Sequence, residues 1–285
     1  MTTSLHPAPP AAARARAAAP RARFTDLVAA EWIKLWSLRS TPWTLGLATL
    51  FVVAAAALAA KADYDNFPFY EPETQREHMF SLGDAFPQEG YLTLMLVAAS
   101  LGALTVVSEY GSGLIRTTTA AVPARGAVVL AKAVVTAGVW TVTGVLIAGG
   151  SFAVSQAILA GRDAAVSVTD PVSVRAIAAS ALLAPVCALI GLCLGVLIRH
   201  TATTLVTATF LLLMLPTMFS SDKRWSAELG HLMPGIAWNR LTTDWMPPPH
   251  PGYYPATVTE SWLVLAAWPL LLLIPAVLTI RRRDV

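Results

Sequence analysis

The sequence predicts an all-α integral membrane protein: six transmembrane helices preceded by an amphipathic interfacial helix, with both termini cytoplasmic. Three observations carry that expectation. Charged residues make up 13% of the 285 positions and hydrophobic ones 55%, about half the ~25% charge of an ordinary soluble domain, and the mean hydropathy is +0.59. The apolar residues gather into six runs, each about as long as a helix needs to cross a ~30 Å hydrocarbon layer. Finally, the basic residues fall unevenly on alternate connections between those runs, which sets orientation.

Residues 1–23 are mostly Ala, Pro and Arg and carry almost nothing large and apolar. They read as a disordered cytoplasmic tail, because such a segment cannot bury enough apolar surface to offset the entropy of ordering. A secretory signal would place a long apolar run directly after its basic residues, and none stands there.

Residues 24–41 are expected to form the interfacial helix. Phe24, Leu27, Val28, Trp32, Leu35 and Leu38 recur at helical spacing, while Asp26, Lys34 and Ser37 fall on another side. Trp32 and Trp36 flank the stripe, and Glu31 and Arg39 add charge, a pattern suited to lying in a membrane interface rather than crossing it.

Residues 42–285 hold the six spans, at about 43–60, 91–107, 127–159, 176–198, 203–219 and 262–280. The third is too long for one straight crossing, so Gly149-Gly150 is expected to bend or end it. Pro185, Pro216, Pro269 and Pro275 fall within or near spans and read as kinks, tolerated where neighbours satisfy the freed carbonyls. Gly191 and Gly195 form a GxxxG, and Gly138 and Gly144 stand in the third run, spacings that permit close helix contact. Cys187 and Cys193 lie about 9 Å apart along one helix and on different sides, so they cannot pair with each other and read as small apolar fillers.

With the N-terminus cytoplasmic, that side holds 13 of the 20 basic residues: Arg14, Arg16, Arg21, Arg23, Lys34, Arg39, Arg116, Arg125, Lys132, Arg199 and Arg281 to Arg283. The opposite side holds Lys61, Arg76, Arg162, Arg175, Lys223, Arg224 and Arg240. The positive-inside rule therefore puts both termini in the cytoplasm. Of the acids, only Asp26, Glu31, Glu109 and Asp284 share that side. The remainder concentrate in two outer loops, 61–90 and 220–261, the second rich in Trp and Pro.

Several chemistries are missing. A phosphate-cradling loop ends in Gly-Lys-Ser or Gly-Lys-Thr, but the four lysines are preceded by Ile33, Ala60, Ala131 and Asp222. His6, His78, His200, His231 and His250 are scattered, and no nucleophile, paired-carboxylate or metal-ligand spacing accompanies a span. No catalytic, cofactor-binding or metal residue is assigned. Proton coupling needs an ionisable group within the spans. Lys132 sits one or two turns into the third span, from where its stem is expected to snorkel to the cytoplasm, and Glu109 stands at a span boundary.

One polar passage separates the second and third runs: Ser108 to Arg125, with Glu109, Gly113, Arg116, Pro123 and Arg125. AEWIKLWSLRSTPW at 30–43 resembles the leading helix of actinobacterial permease subunits of type-2 (ABC-2) ABC exporters. SEYGSGLIRTTTAAVPARG at 108–126 resembles their first cytoplasmic loop, and the chain ends on a similar Arg-Arg-Asp tail. The resemblance covers essentially Phe24 to Val285. It implies a multi-pass protein of the bacterial plasma membrane that forms the translocation pathway of an ATP-driven exporter and is not itself an enzyme. The implied partners are a separate ABC ATPase subunit, on which ATP is hydrolysed, and a second permease subunit in a homo- or heterodimer. Glu109, Gly113, Arg116, Pro123 and Arg125 become the expected ATPase-coupling loop, with the helix carrying Glu31, Trp32, Lys34, Trp36 and Arg39 beside it. The lack of charge in mid-span suggests a hydrophobic or amphipathic cargo. Taken without the resemblance, the same residues also suit a stand-alone secondary carrier, a membrane-anchored ligand sensor using the two outer loops, or a membrane enzyme.

Overall fold

A computed structural model describes residues 23–78, 80–113, 124–243 and 252–282. Among them every regular element is helical: α1 (Phe24–Ser37), α2 (Ser40–Asn66), α3 (Pro72–Glu77), α4 (Ser81–Ala85), α5 (Gln88–Gly111), α6 (Arg125–Leu159), α7 (Pro171–Ile198), α8 (Thr201–Thr209), α9 (Arg224–His231), α10 (Pro234–Thr242) and α11 (Val258–Arg282). Among the described residues six segments are long and apolar enough to cross a membrane: Ser40–Phe69, Ser81–Gly111, Arg125–Arg162, Pro171–Ile198, Thr201–Met218 and Val258–Ile280. Each contains one of the six runs read from the sequence, apart from Phe219 at the end of the fifth.

Helix α7 is the axis of the bundle, packed most extensively on α5 and α6. Glycine lets it approach them backbone to backbone. A Cβ on Gly191 would fall 1.9 Å from the Ala99 carbonyl oxygen, one on Gly102 would fall 2.0 Å from that of Ala188, and one on Gly144 would fall 2.1 Å from that of Ala181. These are contacts only glycine permits, so Gly191 of the GxxxG seals the α5–α7 seam, where small residues bring backbones together. Gly138, by contrast, faces open space. Cys187 and Cys193 are free and buried, as expected of apolar fillers.

Helix α6 corrects one expectation. It runs without interruption from Arg125 to Leu159, straight through Gly149-Gly150, so those glycines do not end it. The span beginning at α8 is the irregular one. It widens to a π-turn over Phe210–Met214 and tightens to a 3₁₀ turn at Leu215–Met218, where Pro216 supplies no N–H.

The described parts of 61–90 and 220–261 carry short helices of their own. Ser81 of α4 donates to the Ala164 carbonyl (2.6 Å), while Gln156 of α6 donates to the Ser81 carbonyl (3.0 Å) and accepts from the Val166 N–H (2.8 Å). Asp170 caps α7 by accepting from the N–H groups of Val172 and Ser173. Helix α10 dips back among α5, α7 and α11. Its Trp238 is 2% exposed, stacks on Tyr91 with ring centroids 4.8 Å apart and donates to Ser180 Oγ at 3.0 Å. Two arginines tie down the end of α10: Arg175 donates to the carbonyls of Leu241 (2.9 Å) and Thr243 (3.0 Å), and Arg240 to that of Ala256 (2.9 Å). The short PGIAWNRLT sequence of α10 gave no hint of this burial, being too brief and too mixed in polarity to stand out between two long apolar runs.

Candidate functional site: a buried charge cluster

At one end of the bundle three helices meet through four charged side chains. Glu31 and Lys34 come from α1, one turn apart, Glu109 from the last turn of α5, and Lys132 from the second turn of α6. Lys34 Nζ lies 2.7 Å from Glu31 Oε1 and 3.1 Å from Glu109 Oε1. Lys132 Nζ lies 3.0 Å from the same Glu109 oxygen and makes a short ion pair with Glu31 Oε2. Each ammonium thus bridges both carboxylates, and the four charges sum to zero.

Burial is what gives the arrangement weight. Glu31 and Glu109 are each 5% exposed and Lys132 is 6% exposed, while Lys34 is only half buried. A lone ion taken from water costs several kcal/mol, and this is offset only where partners and hydrogen bonds are close to hand. Around Lys34, burial would lower the pKa. The carboxylates of Glu31 and Glu109 outweigh it and hold the ammonium above its ordinary value. Glu109 Oε2 is buried with no hydrogen-bond partner, so one acceptor of the cluster is unused. Glu109 lines a cavity of about 190 Å³ together with Leu35, Ser108 and Thr136.

Lys132 corrects a second expectation. Its side chain does not snorkel to the surface, because α1 lies across that end of α6 and offers Glu31 at bonding distance. The face by which α1 docks also differs from the apolar stripe. Glu31 and Leu35 are buried, and Val28 is partly so, whereas Phe24, Trp32 and Leu38 stay 46%, 50% and 54% exposed. Trp32 and Trp36 form an outward pair with centroids 5.6 Å apart.

Of the residues proposed from the sequence, Glu31, Lys34 and Glu109 are brought together, and Glu109 belongs to helix α5 rather than to a loop. Gly113 follows that helix at φ 73°, a left-handed conformation that suits glycine, with its N–H donating to the Tyr110 carbonyl. Arg125 is the first residue of α6. Arg39 sits exposed in the α1–α2 connection. Arg116 and Pro123 lie outside the described residues. Lys132 was the member missed as a site residue. The available signal was its isolation: it is the only charge between Arg125 and Arg162, while Glu109 is the only acid between Glu89 and Asp163.

Fold and cluster together define a class: a helical protein with six membrane-length helices, in which α1, α5 and α6 are joined by a neutral network of buried charges. The chain matches no family model and no curated protein.

Proposed function

We propose that this chain is the permease subunit of an ATP-driven exporter of the type-2 ABC class, with both termini cytoplasmic, α1 in the membrane interface and ATP hydrolysed on a separate subunit. The observation that carries the reading is the bridging of Glu31 and Glu109 by Lys132. It joins the leading helix to both helices that flank residues 112–124, the segment whose sequence resembles a coupling loop. A push delivered to that segment by an ATPase reaches α1, α5 and α6 together, because separating any one of them would strand a charge in a buried site. Rigid coupling of this kind suits alternating access driven by closure of partner subunits. A second permease subunit completes the pathway, and a hydrophobic or amphipathic cargo fits spans with no charge in mid-membrane. No cofactor on this chain enters the scheme.

The test is co-purification with a P-loop ATPase, followed by ATP-dependent export from vesicles. Charge reversal at Glu109 should abolish export, and reversal at Arg116 should weaken ATPase retention. Full export and full assembly in both variants would sink the reading. The unpartnered Glu109 Oε2 favours one alternative, a stand-alone secondary carrier, since ionisable groups at membrane depth mark ion pathways. Uptake by proteoliposomes of this chain alone under a pH gradient would select it.

A further inference from the structure

A second cavity, of about 890 Å³, opens between α1, α2 and α6. Its volume lies within the ~300–1,000 Å³ of small-molecule sites, and its walls are almost entirely carbon, from Leu45, Leu50 and Val53 of α2 to Val142 and Leu146 of α6. The two hydroxyls in the wall are turned inward to their own helices: Thr49 donates to the Leu45 carbonyl (2.8 Å) and Thr143 to the Val139 carbonyl (2.9 Å). What faces the cleft from α2 and α6 is therefore apolar.

Two further observations separate this cleft from ordinary exposed apolar surface. Gly46 and Gly138 line it from opposite walls, and a Cβ on either would meet nothing within 4 Å. Glycine in a helix interior costs about 1 kcal/mol relative to alanine, and contacts within the chain give no reason for it here, in contrast to Gly191 or Gly102. Its effect is to keep the cleft open. In addition, the cleft has a polar end. Trp32, Trp36 and Pro42 line it there, and Arg39, exposed in the α1–α2 connection, precedes Pro42 by three residues. Indole rings beside an exposed guanidinium are the kinds of group that meet a lipid headgroup.

We propose that this cleft binds one anionic phospholipid, with the acyl chain between Gly46 and Gly138 and the phosphate at Arg39. The gradient from guanidinium through indoles to pure hydrocarbon matches that of a lipid molecule, and the site is complete within one chain. It requires neither an ATPase nor a cargo, so it goes beyond the exporter reading and survives that reading's failure.

The experiment uses the purified full chain in phosphatidylcholine vesicles containing a trace of phosphatidylglycerol with a photoactivatable acyl chain, followed by peptide mapping. Label should concentrate on residues 42–53 and 138–146 several-fold over the exposed apolar face of α11 at Leu270, Leu271 and Ile274. Gly138→Leu and Gly46→Leu, which fill open space rather than clash, should each remove the cleft label and leave that on α11. Photoactivatable phosphatidylcholine should label the cleft about fivefold less than phosphatidylglycerol, the preference expected of one surface cation, and Arg39→Gln should bring the two to parity. Even labelling of the cleft and α11, or cleft label that persists in both leucine variants, would overturn the proposal. So would a disulfide between Gly138→Cys copies in the vesicles, which would make the cleft a seam between two chains.

Discussion

The ammonium of Lys132 is buried against the carboxylate of Glu31, 101 residues away in sequence. The pair fastens α1 to α6, and because Glu31 also accepts from Lys34, and both lysines reach Glu109, α5 is drawn into the same joint. Removing one member strands a buried charge, whereas removing a matched pair does not. Lys132→Met should therefore cost about 3–5 kcal/mol, and Glu31→Gln with Lys132→Met should recover more than half of that loss. Thermal unfolding of the two variants in detergent checks it, and a double variant no more stable than the single would contradict the pairing.

Lys34 gives a pH dependence of definite sign. Its folded pKa lies above the ordinary 10.5, so its contribution is fully present below 10.5 and is lost as pH rises through the higher folded value. The gap in unfolding temperature between the wild type and Lys34→Gln should stay constant across the neutral range. It should close only above 10.5. A gap that narrowed between neutral pH and 10.5 would mean that the two carboxylates do not hold Lys34 in its charged form.

Two glycines mark the extremes of what a methyl group would meet. Gly191→Ala drives a Cβ into the Ala99 carbonyl and should prevent a stable fold or lower the unfolding temperature sharply. Gly149→Ala meets nothing and should be neutral or stabilising by up to about 1 kcal/mol through helix propensity. Expression and thermal shift of both variants decide it.

Trp238 separates stacking from hydrogen bonding. Trp238→Phe keeps a ring against Tyr91 but leaves the Ser180 hydroxyl without its indole donor, a loss of about 1 kcal/mol. Trp238→Ala empties the site and should cost about 3–5 kcal/mol. Equal losses in the two variants would show that the hydrogen bond, not the ring, holds α10.

The spans were legible because lipid imposes a length on any helix that crosses it, and runs such as 176–198 meet that length with no charge inside. Tertiary pairing left no comparable mark. Glu31, Glu109 and Lys132 stand in three separate segments, and nothing local to any of them says that they meet. Glu31 looked like one polar residue of an amphipathic helix, and Lys132 like a residue able to reach water. Only the packing of α1 across α6 closes that route. Helix α10 was illegible for a different reason: a nine-residue stretch carrying Asn239 and Arg240 reads as a polar loop, and its burial depends on Tyr91 and Ser180 from other helices.

The arginine ties at the end of α10 bear on how the molecule can be handled. The described residues between α8 and α11 do not form a detachable lobe, because Trp238 among them completes the interior beside Tyr91. Excising or exchanging that stretch would uncover the middle of the bundle. A tag or epitope belongs instead just ahead of α9, whose first turns carry the Arg224–Glu228 ion pair, exposed on both sides.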